Sequence, residues 1–370
     1  MRCDLDNNLN YEELVVFRLR SIYGSYGYLP YKMNKFEEYD LYAENRRFLT
    51  GQSILTFTDN HGKLMALKPD VTLSIIKNYN DSDSAVSKVF YDERVYRASG
   101  YNGDFQEITQ TGLECMGRLD AYTVAEVVSL ALMSLDAISP DFVLDISHTG
   151  IIEGLLDSCG LSPLGCEDLI SAVGRKSTGE ISALCEKYAV DGRTADALRS
   201  LVRGYSPLPE AIVKLRAFGI PSASGCADEL SRLWELICSS PLADKVYADF
   251  SILSEPEYYD GIVMKGYVSG APSPVLSGGR YDRLMEKLGK KAGAIGFAVY
   301  MDMLERLGMD RSPYDVDVLL LYDEDTDPSA LFEAADAFRK TGLSVRAATG
   351  AGGVRYKTMY RMNGSEAELI

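Results

Sequence analysis

The eleven residues that decide the fold read Phe105-Gln106-Glu107-Ile108-Thr109-Gln110-Thr111-Gly112-Leu113-Glu114-Cys115. Because alternate residues of a β-strand share a face, a strand here places Gln110, Gly112 and Glu114 side by side. Gly112 removes bulk between an amide and a carboxylate, which leaves room for a ligand to approach the backbone. Such a pair of side chains suits an ammonium group with neighbouring polar atoms. The same pattern also fits a polar strand edge that faces solvent.

Helix and strand signals on both sides of this stretch predict an α+β fold. Asn10 caps a first helix that ends near Gly27, and Glu13 reaches back to it as in a capping box. Short alternating segments with Gly and Asn turns extend from there to about residue 118 and predict an antiparallel sheet. A second amphipathic helix is predicted over Ala121–Ile138, where apolar residues recur at helical spacing.

A run of helices then separates two parts of the same sheet. Strand signals vanish between about Thr149 and Leu242, where Gly- and Pro-containing breaks divide helical segments. Strand character returns at Lys245–Leu253, Gly261–Val268 and Pro274–Leu276, and a helical segment then leads through Gly296-Phe297-Ala298 to Leu307. Helices that interrupt one sheet indicate an insertion. We therefore expect a core of residues 1–148 and 243–311 around a helical insertion of residues 149–242.

The end of the chain predicts a short C-terminal α/β unit of residues 312–370. An apolar strand over Val316–Tyr322, a helix over Pro328–Thr341 and a strand over Leu343–Ala347 form one βαβ-like unit. The residues after it are rich in glycine and polar groups, so little further regular structure is expected there.

Composition and charge argue against several classes of protein. The 370 residues are 46% hydrophobic and 25% charged, which is typical of a soluble globular protein. No apolar stretch approaches the roughly 20 residues needed to cross a bilayer, so no membrane contact is expected. The net charge of −16 argues against binding nucleic acid, because phosphate neutralisation normally requires a basic surface. The start is polar and acidic rather than a secretory signal, and a cytoplasmic location is predicted.

The cysteines and histidines do not form a catalytic or metal-binding set. The seven cysteines are scattered without a Cys-x-x-Cys pair, so neither a zinc site nor a disulfide framework is expected. His61 lies in a hairpin-turn composition and is predicted to be exposed. His148 follows Leu144-Asp145-Ile146-Ser147, where a structural residue at a strand end is favoured over a catalyst. No phosphate-binding loop appears, and no cofactor is predicted.

Further candidate site residues lie beside a proline and before a strand. In Lys68-Pro69-Asp70-Val71-Thr72 the proline fixes the backbone before a carboxylate and a hydroxyl, although Asp70 equally fits a helix cap. Tyr258 and Tyr259 stand between acidic residues, and adjacent tyrosines are usually core or interface residues. The run Ser277-Gly278-Gly279-Arg280-Tyr281-Asp282 predicts a glycine-permitted turn that carries a cation and an acid.

Four motifs, taken in order, resemble those of class II aminoacyl-tRNA synthetases, specifically the histidyl branch. They are R-P-E/D-x-T at Lys68–Thr72, Q-x-G-x-E at Gln110–Glu114, D-Y-Y at Glu257–Tyr259 and G-G-R-Y-D at Gly278–Asp282. The resemblance covers about residues 10–310 and implies an antiparallel sheet flanked by helices. It also implies a homodimer through the region Glu12–Glu37, although Asn34 replaces a proline of the family's first motif. The C-terminal unit is similar to a shortened anticodon-binding domain.

The resemblance also implies which residues form an amino-acid pocket. Those that match the family's motifs form a histidine-like ligand pocket: Asp70, Thr72, Gln110, Glu114, Tyr258 and Tyr259.

Departures from the synthetase motifs imply that activation chemistry is lost. Class II enzymes use arginines to stabilise the negative charge that develops on ATP and the attacking carboxylate. In Phe90-Tyr91-Asp92-Glu93-Arg94, the resemblance places Tyr91 where the ATP-binding arginine follows phenylalanine. Ser254 replaces the histidine-specific arginine, and Met303 replaces the last arginine of the third motif. A pocket without these three cations is expected to form negligible adenylate.

The stretch from Leu144 to Leu156 resembles the D-x-G-H-x-G-x-x-x-x-L-L pattern of the regulatory subunits of ATP phosphoribosyltransferase, with Ser147 in place of a glycine. Membership of that family implies a non-catalytic partner of the short catalytic subunit in a hetero-oligomer. It would support the first step of histidine biosynthesis and its feedback regulation by L-histidine. An unusual histidyl-tRNA synthetase and a synthetase-like binding module with another partner are the alternatives.

Overall fold

The computed structural model describes residues 9–45, 54–81, 86–98, 104–157, 159–252, 258–306 and 313–370. The chain divides into two compact units, one of Val15–Leu307 and the other of Met1–Leu14 with Gly308–Ile370. Ser254 and Glu257, to which the sequence assigns motif positions, lie outside the described residues.

The α-helices, in chain order, are α1 (Tyr11–Ser25), α2 (Tyr39–Glu44), α3 (Thr72–Asn78), α4 (Ala121–Ile138), α5 (Thr149–Asp157), α6 (Pro163–Gly174), α7 (Thr178–Lys187), α8 (Gly192–Arg203), α9 (Leu208–Ala217), α10 (Pro221–Ile237), α11 (Asp282–Lys287), α12 (Asp302–Arg306) and α13 (Pro328–Lys340). The strands are β1 (Leu29–Pro30), β2 (Phe36–Glu38), β3 (Thr56–Thr58), β4 (Leu64–Leu67), β5 (Ser87–Ala98), β6 (Phe105–Gly117), β7 (Phe142–His148), β8 (Ser206–Pro207), β9 (Val246–Ala248), β10 (Ile262–Val268), β11 (Leu276–Arg280), β12 (Gly293–Tyr300), β13 (Val316–Leu321), β14 (Val345–Ala348), β15 (Tyr356–Asn363) and β16 (Glu366–Leu369).

One large sheet organises the first unit. Within the described ranges it has nine strands in the order β1-β5-β6-β12-β11-β10-β7-β9-β8. Neighbouring strands are antiparallel except for the pairs β1–β5 and β7–β9. A separate antiparallel sheet has the order β2-β4-β3. The predicted α+β fold, a largely antiparallel sheet with flanking helices, is confirmed.

The stretch quoted first forms an inner strand of this sheet. β6 runs between β5 and β12, and its residues Gln110 and Glu114 are 3% and 2% exposed. A polar strand edge in solvent is therefore excluded, and the two side chains share one buried face as their spacing predicts.

Helices α1 and α4 begin where the sequence predicts. The Asn10 side chain accepts the Glu13 N–H (2.8 Å) while Glu13 accepts the Asn10 N–H (2.9 Å), which confirms the capping box. Asp120 caps α4 by accepting the Thr123 N–H (2.8 Å). The prediction that no apolar stretch approaches the length of a membrane span is wrong, because the 18 residues of α4 have that length and apolar composition. Yet 67% of α4 is buried in the protein, as in the core helix of a globular domain.

Two glycine-containing segments differ from their predictions. The predicted turn at Ser277–Asp282 is largely strand β11, and the predicted helical path through Gly296-Phe297-Ala298 is strand β12. Both predictions are wrong because the glycines serve close packing rather than chain reversal. A Cβ at Gly278 would overlap the Gly296 carbonyl oxygen, and one at Gly279 would lie 2.7 Å from the Tyr259 ring.

The remaining segments largely follow the predicted order. Helices α5 to α10 occupy residues 149–237, interrupted by the short strand β8, and the strand predicted over Lys245–Leu253 is reduced to β9. Whether residues 149–242 form a separate domain stays a prediction.

The second unit contains more structure than expected. Its four-stranded sheet has the order β14-β13-β15-β16, with β15 parallel to β13. The prediction of little regular structure after β14 is wrong because β15 alternates charged and less exposed residues, for example Arg361 and Met362. Met362 packs with Leu320 and Ala335 in the small core of this unit.

Candidate functional site

All six predicted pocket residues line one cavity of about 280 Å³ on a single face of the large sheet. Gln110 and Glu114 come from β6, Asp70 and Thr72 from the start of α3, and Tyr258 and Tyr259 from the segment before β10. The fold therefore brings residues as far apart in the chain as Asp70 and Tyr259, 189 positions, around one space. Their predicted proximity agrees with the structure, whereas their role in binding a ligand stays a prediction.

Glu114 lies at the base of the cavity and is held by two hydroxyl groups. Thr72 Oγ1 donates to Glu114 Oε1 (2.7 Å), and the Tyr281 hydroxyl donates to Oε2. A Cβ at Gly296 would overlap Oε2, so this glycine provides the space that the carboxyl group fills. Burial raises the pKa of Glu114 to about 8, although both hydroxyl groups oppose the shift. The group can therefore exchange a proton near neutral pH.

Asp70 both caps a helix and lines the cavity. Its Oδ1 accepts the Leu73 N–H (2.8 Å) at the start of α3, and its side chain also lines the cavity. Burial raises the pKa of Asp70 above its ordinary range, while the nearby Arg97 guanidinium acts in the opposite direction. A buried carboxyl group at a helix start and near a cavity is a suitable acceptor for an ammonium group.

Tyrosine rings form one wall of the cavity. The ring centroids of Tyr258 and Tyr259 are 4.6 Å apart with planes inclined at 62°, and those of Tyr258 and Tyr281 are 6.2 Å apart. Edge-to-face packing of this kind fixes ring orientation. Tyr281, which the sequence placed only within a glycine turn, is a further lining residue.

The cavity also contains cations that the sequence reasoning missed. Arg97 of β5 and Lys265 of β10 both line it, so the replacement of three arginines of the family's motifs does not leave the cavity without positive side chains. Arg97 Nε donates to the Pro69 carbonyl oxygen (2.9 Å), and its guanidinium lies 3.9 Å from Asp70. The arginine in Val95-Tyr96-Arg97, and the lysine within an otherwise apolar strand, were the signals available in the sequence.

Tyr91 fills the space that the sequence assigned to a ligand at Gly112. Tyr91 and Arg97 are six residues apart on β5 and therefore share a face. Tyr91 lies opposite Gly112, and a Cβ at Gly112 would be 2.6 Å from its hydroxyl oxygen. Gly112 thus accommodates Tyr91 and a neighbouring strand, and the prediction that it leaves room for a ligand is wrong.

Other singled-out residues lie away from the cavity or at its margin. His61 is exposed in the β3–β4 hairpin, as predicted. His148 ends β7 and hydrogen-bonds to Glu229 through Nε2 (3.0 Å), with the Gly150 N–H donating to Nδ1 (3.2 Å). Met303 lies in α12, where its sulfur accepts a hydrogen bond from Ser273 Oγ (3.1 Å). Within the described residues, no cluster of His, Cys, Asp and Glu could hold a metal ion.

Comparisons with known proteins agree with this architecture. The ATP phosphoribosyltransferase regulatory subunit of Ruminiclostridium cellulolyticum is 25% identical over 89% of this chain and 80% of its own length. The protein of the same name from Acetivibrio thermocellus is 27% identical over 92% of this chain and 84% of its own length.

Solved structures show the same fold. An ATP phosphoribosyltransferase regulatory subunit/histidyl-tRNA synthetase from Bacillus halodurans superposes with a TM-score of 0.78 at 22% identity, covering 95% of this chain and 94% of that one. A chain of the ATP phosphoribosyl transferase (HisG:HisZ) complex from Thermotoga maritima gives a TM-score of 0.63 at 20% identity, covering 79% and 97%. The family model of histidyl-tRNA synthetase matches residues 5–304. Because this match spans most of the 370 residues, the chain belongs to the histidyl-tRNA synthetase family.

Proposed function

We propose that this chain is the regulatory subunit of ATP phosphoribosyltransferase and acts with the short catalytic subunit in the first step of histidine biosynthesis. The observation that carries the proposal is the similarity to two curated relatives of that name over about nine-tenths of the chain. The structurally similar chain from Thermotoga maritima belongs to a complex of the same enzyme. A cytoplasmic location is part of this proposal.

The chain itself is proposed to be non-catalytic. Adenylate formation requires cations that stabilise the phosphates of ATP as charge develops. Met303 supplies a thioether where the synthetases have an arginine, and Tyr300 adds a bulky ring to the cavity lining. Arg97 and Lys265 are the cations that line the cavity. Arg97 already contacts the Pro69 carbonyl oxygen and faces Asp70, and Lys265 lies on β10, away from Arg97 on β5.

The cavity is proposed to receive L-histidine as the feedback signal. Its volume of about 280 Å³ lies at the lower end of ordinary ligand pockets, which suits an amino acid better than a nucleotide. The carboxyl groups of Asp70 and Glu114 would accept hydrogen bonds from the ammonium or imidazole nitrogens, with Gln110 and Thr72 adding neutral polar contacts. Tyr258 and Tyr259 would pack against the imidazole ring.

Regulation requires that histidine binds one state of the complex more tightly than another. We also propose that the chain forms a homodimer through the synthetase-like core. This dimer would bind the catalytic subunit. In this proposal residues 1–148 and 243–311 form the core, residues 149–242 the helical insertion and residues 312–370 a truncated anticodon-binding-like unit.

Reconstitution with the short catalytic subunit tests the partner assignment. ATP phosphoribosyltransferase activity should rise when the full chain is added, and L-histidine should then inhibit it. The Glu114→Ala chain should still activate the catalytic subunit but should transmit less inhibition, whereas Lys214→Met, which alters an exposed lysine of α9, should behave as the unmodified chain. Absence of binding and activation would contradict the proposal and favour a synthetase-like binding module with another partner.

One observation keeps histidyl-tRNA synthetase as a second candidate, because Arg97 places a guanidinium in the cavity. Histidine-dependent exchange between ATP and pyrophosphate distinguishes the two functions. The proposal predicts no exchange above the background of a Glu114→Ala sample, and robust exchange would replace it with the enzyme assignment.

A further inference from the structure

The cavity has two electrostatic ends. Asp70 and Glu114, with their hydroxyl and amide neighbours, lie on the side formed by α3 and β6. Lys265 lies on β10, on the opposite side of the same cavity, and Ser277 is its neighbour across the β10–β11 pair. A site with acids at one end and a cation at the other matches a ligand that carries both charges.

The strand register shows how far apart these ends are. Ser277 lies opposite Ala298, Ala298 opposite Gly112, and Gly112 is two residues from Glu114 on β6. Lys265 and Glu114 are therefore three strand spacings and one two-residue step apart, a backbone separation of about 16 Å. Both side chains line the cavity, so a small molecule that spans it can contact both charged groups.

Lys265 differs from Arg97 in what it already contacts. Arg97 has the Pro69 carbonyl oxygen and Asp70 as neighbours. The Lys265 side chain is half-buried, and among the described residues its ammonium group has no hydrogen-bond or ion-pair partner, because Asp145, opposite it on β7, accepts instead from the Tyr205 hydroxyl (3.0 Å). A partly desolvated ammonium group without a counterion is the group in this cavity best prepared to bind an anionic ligand atom.

We infer that Lys265 binds the carboxylate of the ligand whose nitrogen atoms contact Asp70 and Glu114, so that the site selects free α-amino acids over the corresponding amines and amino alcohols. This inference rests on the proposed histidine pocket and adds the residue that recognises the carboxylate. The regulatory signal is then free histidine itself and not a precursor that lacks the carboxylate.

Calorimetric titration of the full chain with L-histidine and with L-histidinol, which carries a hydroxymethyl group in place of the carboxylate, tests the inference. A hydrogen bond between two charged groups predicts that histidine binds about 10- to 100-fold more tightly than histidinol. Lys265→Met should weaken histidine binding by a similar factor and leave histidinol binding unchanged. Lys214→Met, the same substitution at an exposed lysine outside the cavity, should change neither.

The ratio of the two affinities separates recognition from structural damage. If Lys265→Met lost affinity for histidine and histidinol by the same factor, the role of Lys265 would be structural and the carboxylate assignment would be overturned. Equal affinity of the unmodified chain for the two ligands would overturn it as well. Failure of the unmodified chain to bind either compound would overturn both the carboxylate assignment and the histidine pocket. Failure to activate the catalytic subunit, with the predicted ratio intact, would instead contradict only the proposed partnership.

Discussion

Glu114 allows a direct test of the electrostatics of the cavity. Glu114→Gln replaces a carboxyl group that is 2% exposed with a neutral side chain of nearly the same shape. The amide can still accept from Thr72 or Tyr281, whose hydroxyl groups hold the carboxyl group in the native chain. The substitution therefore removes the titration and largely preserves the packing.

The pKa of Glu114 sets the direction and size of the effect. It rises from 4.5 to about 8 because of burial, so the folded chain holds the proton more tightly than the unfolded chain. The stability that this proton contributes is complete below about pH 4.5 and is lost as the pH rises through about 8. The full interval corresponds to about 5 kcal/mol, and the part between pH 5.5 and 7.5 to about 2–3 kcal/mol. For a unit of this size, that part is a shift of roughly 4–6 °C in Tm.

Thermal unfolding of both chains at pH 5.5 and 7.5 measures this difference. The Tm of Glu114→Gln should gain roughly 4–6 °C over the native chain between the two pH values. Glu186→Gln, at an exposed glutamate of α7, should follow the native pH dependence. Parallel pH profiles for the native chain and Glu114→Gln would refute the reasoning, because they would show that Glu114 is ionised in the folded state.

Three further substitutions test other contacts. Gly296→Ala should displace the Glu114 carboxyl group, which should weaken histidine binding at least about tenfold and lower the free energy of unfolding by about 1–3 kcal/mol. Gly24→Ala, where a Cβ meets nothing within 4 Å, should have neither effect. Calorimetry measures the binding of both variants, and thermal unfolding measures their stability. Lys68 is 1% exposed and pairs with Glu93, so Lys68→Met should lower the free energy of unfolding in urea by about 3–5 kcal/mol, with Lys68→Met/Glu93→Gln recovering part of the loss. Burial lowers the pKa of His148, but hydrogen bonds to Cys226 and Glu229 outweigh burial and raise it to about 9. The folded chain therefore binds this proton more tightly than the unfolded chain, and the stability that the proton contributes is complete below pH 6.5 and lost as the pH rises through 9. Thermal unfolding of Glu229→Gln should therefore show a smaller loss of Tm between pH 6.5 and 9.5 than the native chain, and an unchanged loss would contradict the pairing.

The six pocket residues were predictable because each signal is local. Alternation along one strand places Gln110 and Glu114 on one face, and a proline followed by Asp70 and Thr72 marks a helix start whether or not a ligand binds there. The order of the motifs along the chain then relates these local signals to one family. None of these inferences requires knowledge of which strands are neighbours.

Several of the incorrect predictions concern glycines whose function depends on strand pairing. Gly278 and Gly279 resemble turn residues in sequence. In the structure, β12 lies too close to Gly278, and the Tyr259 ring too close to Gly279, for either position to hold a side chain. Gly112 and Gly296 lie on adjacent strands and make room for Tyr91 and Glu114, respectively. A sequence pattern shows that a side chain is missing but does not show which neighbour takes its space.

The cations illustrate the same dependence with a larger functional consequence. Tyr91 and Arg97 share one face of β5, so a motif read without the strand register can assign the arginine position to either residue. The structure places both at the cavity, so the number of lost arginines does not by itself decide whether the chain can form an adenylate. What each remaining cation already contacts matters more: Arg97 faces Asp70 and a backbone carbonyl, whereas Lys265 lies across the cavity from the acids. Arg97 lies on β5 and Lys265 on β10 with three strands between them, so the two cations line different parts of the cavity, and Lys265 is the one placed to bind the carboxylate of a free amino acid.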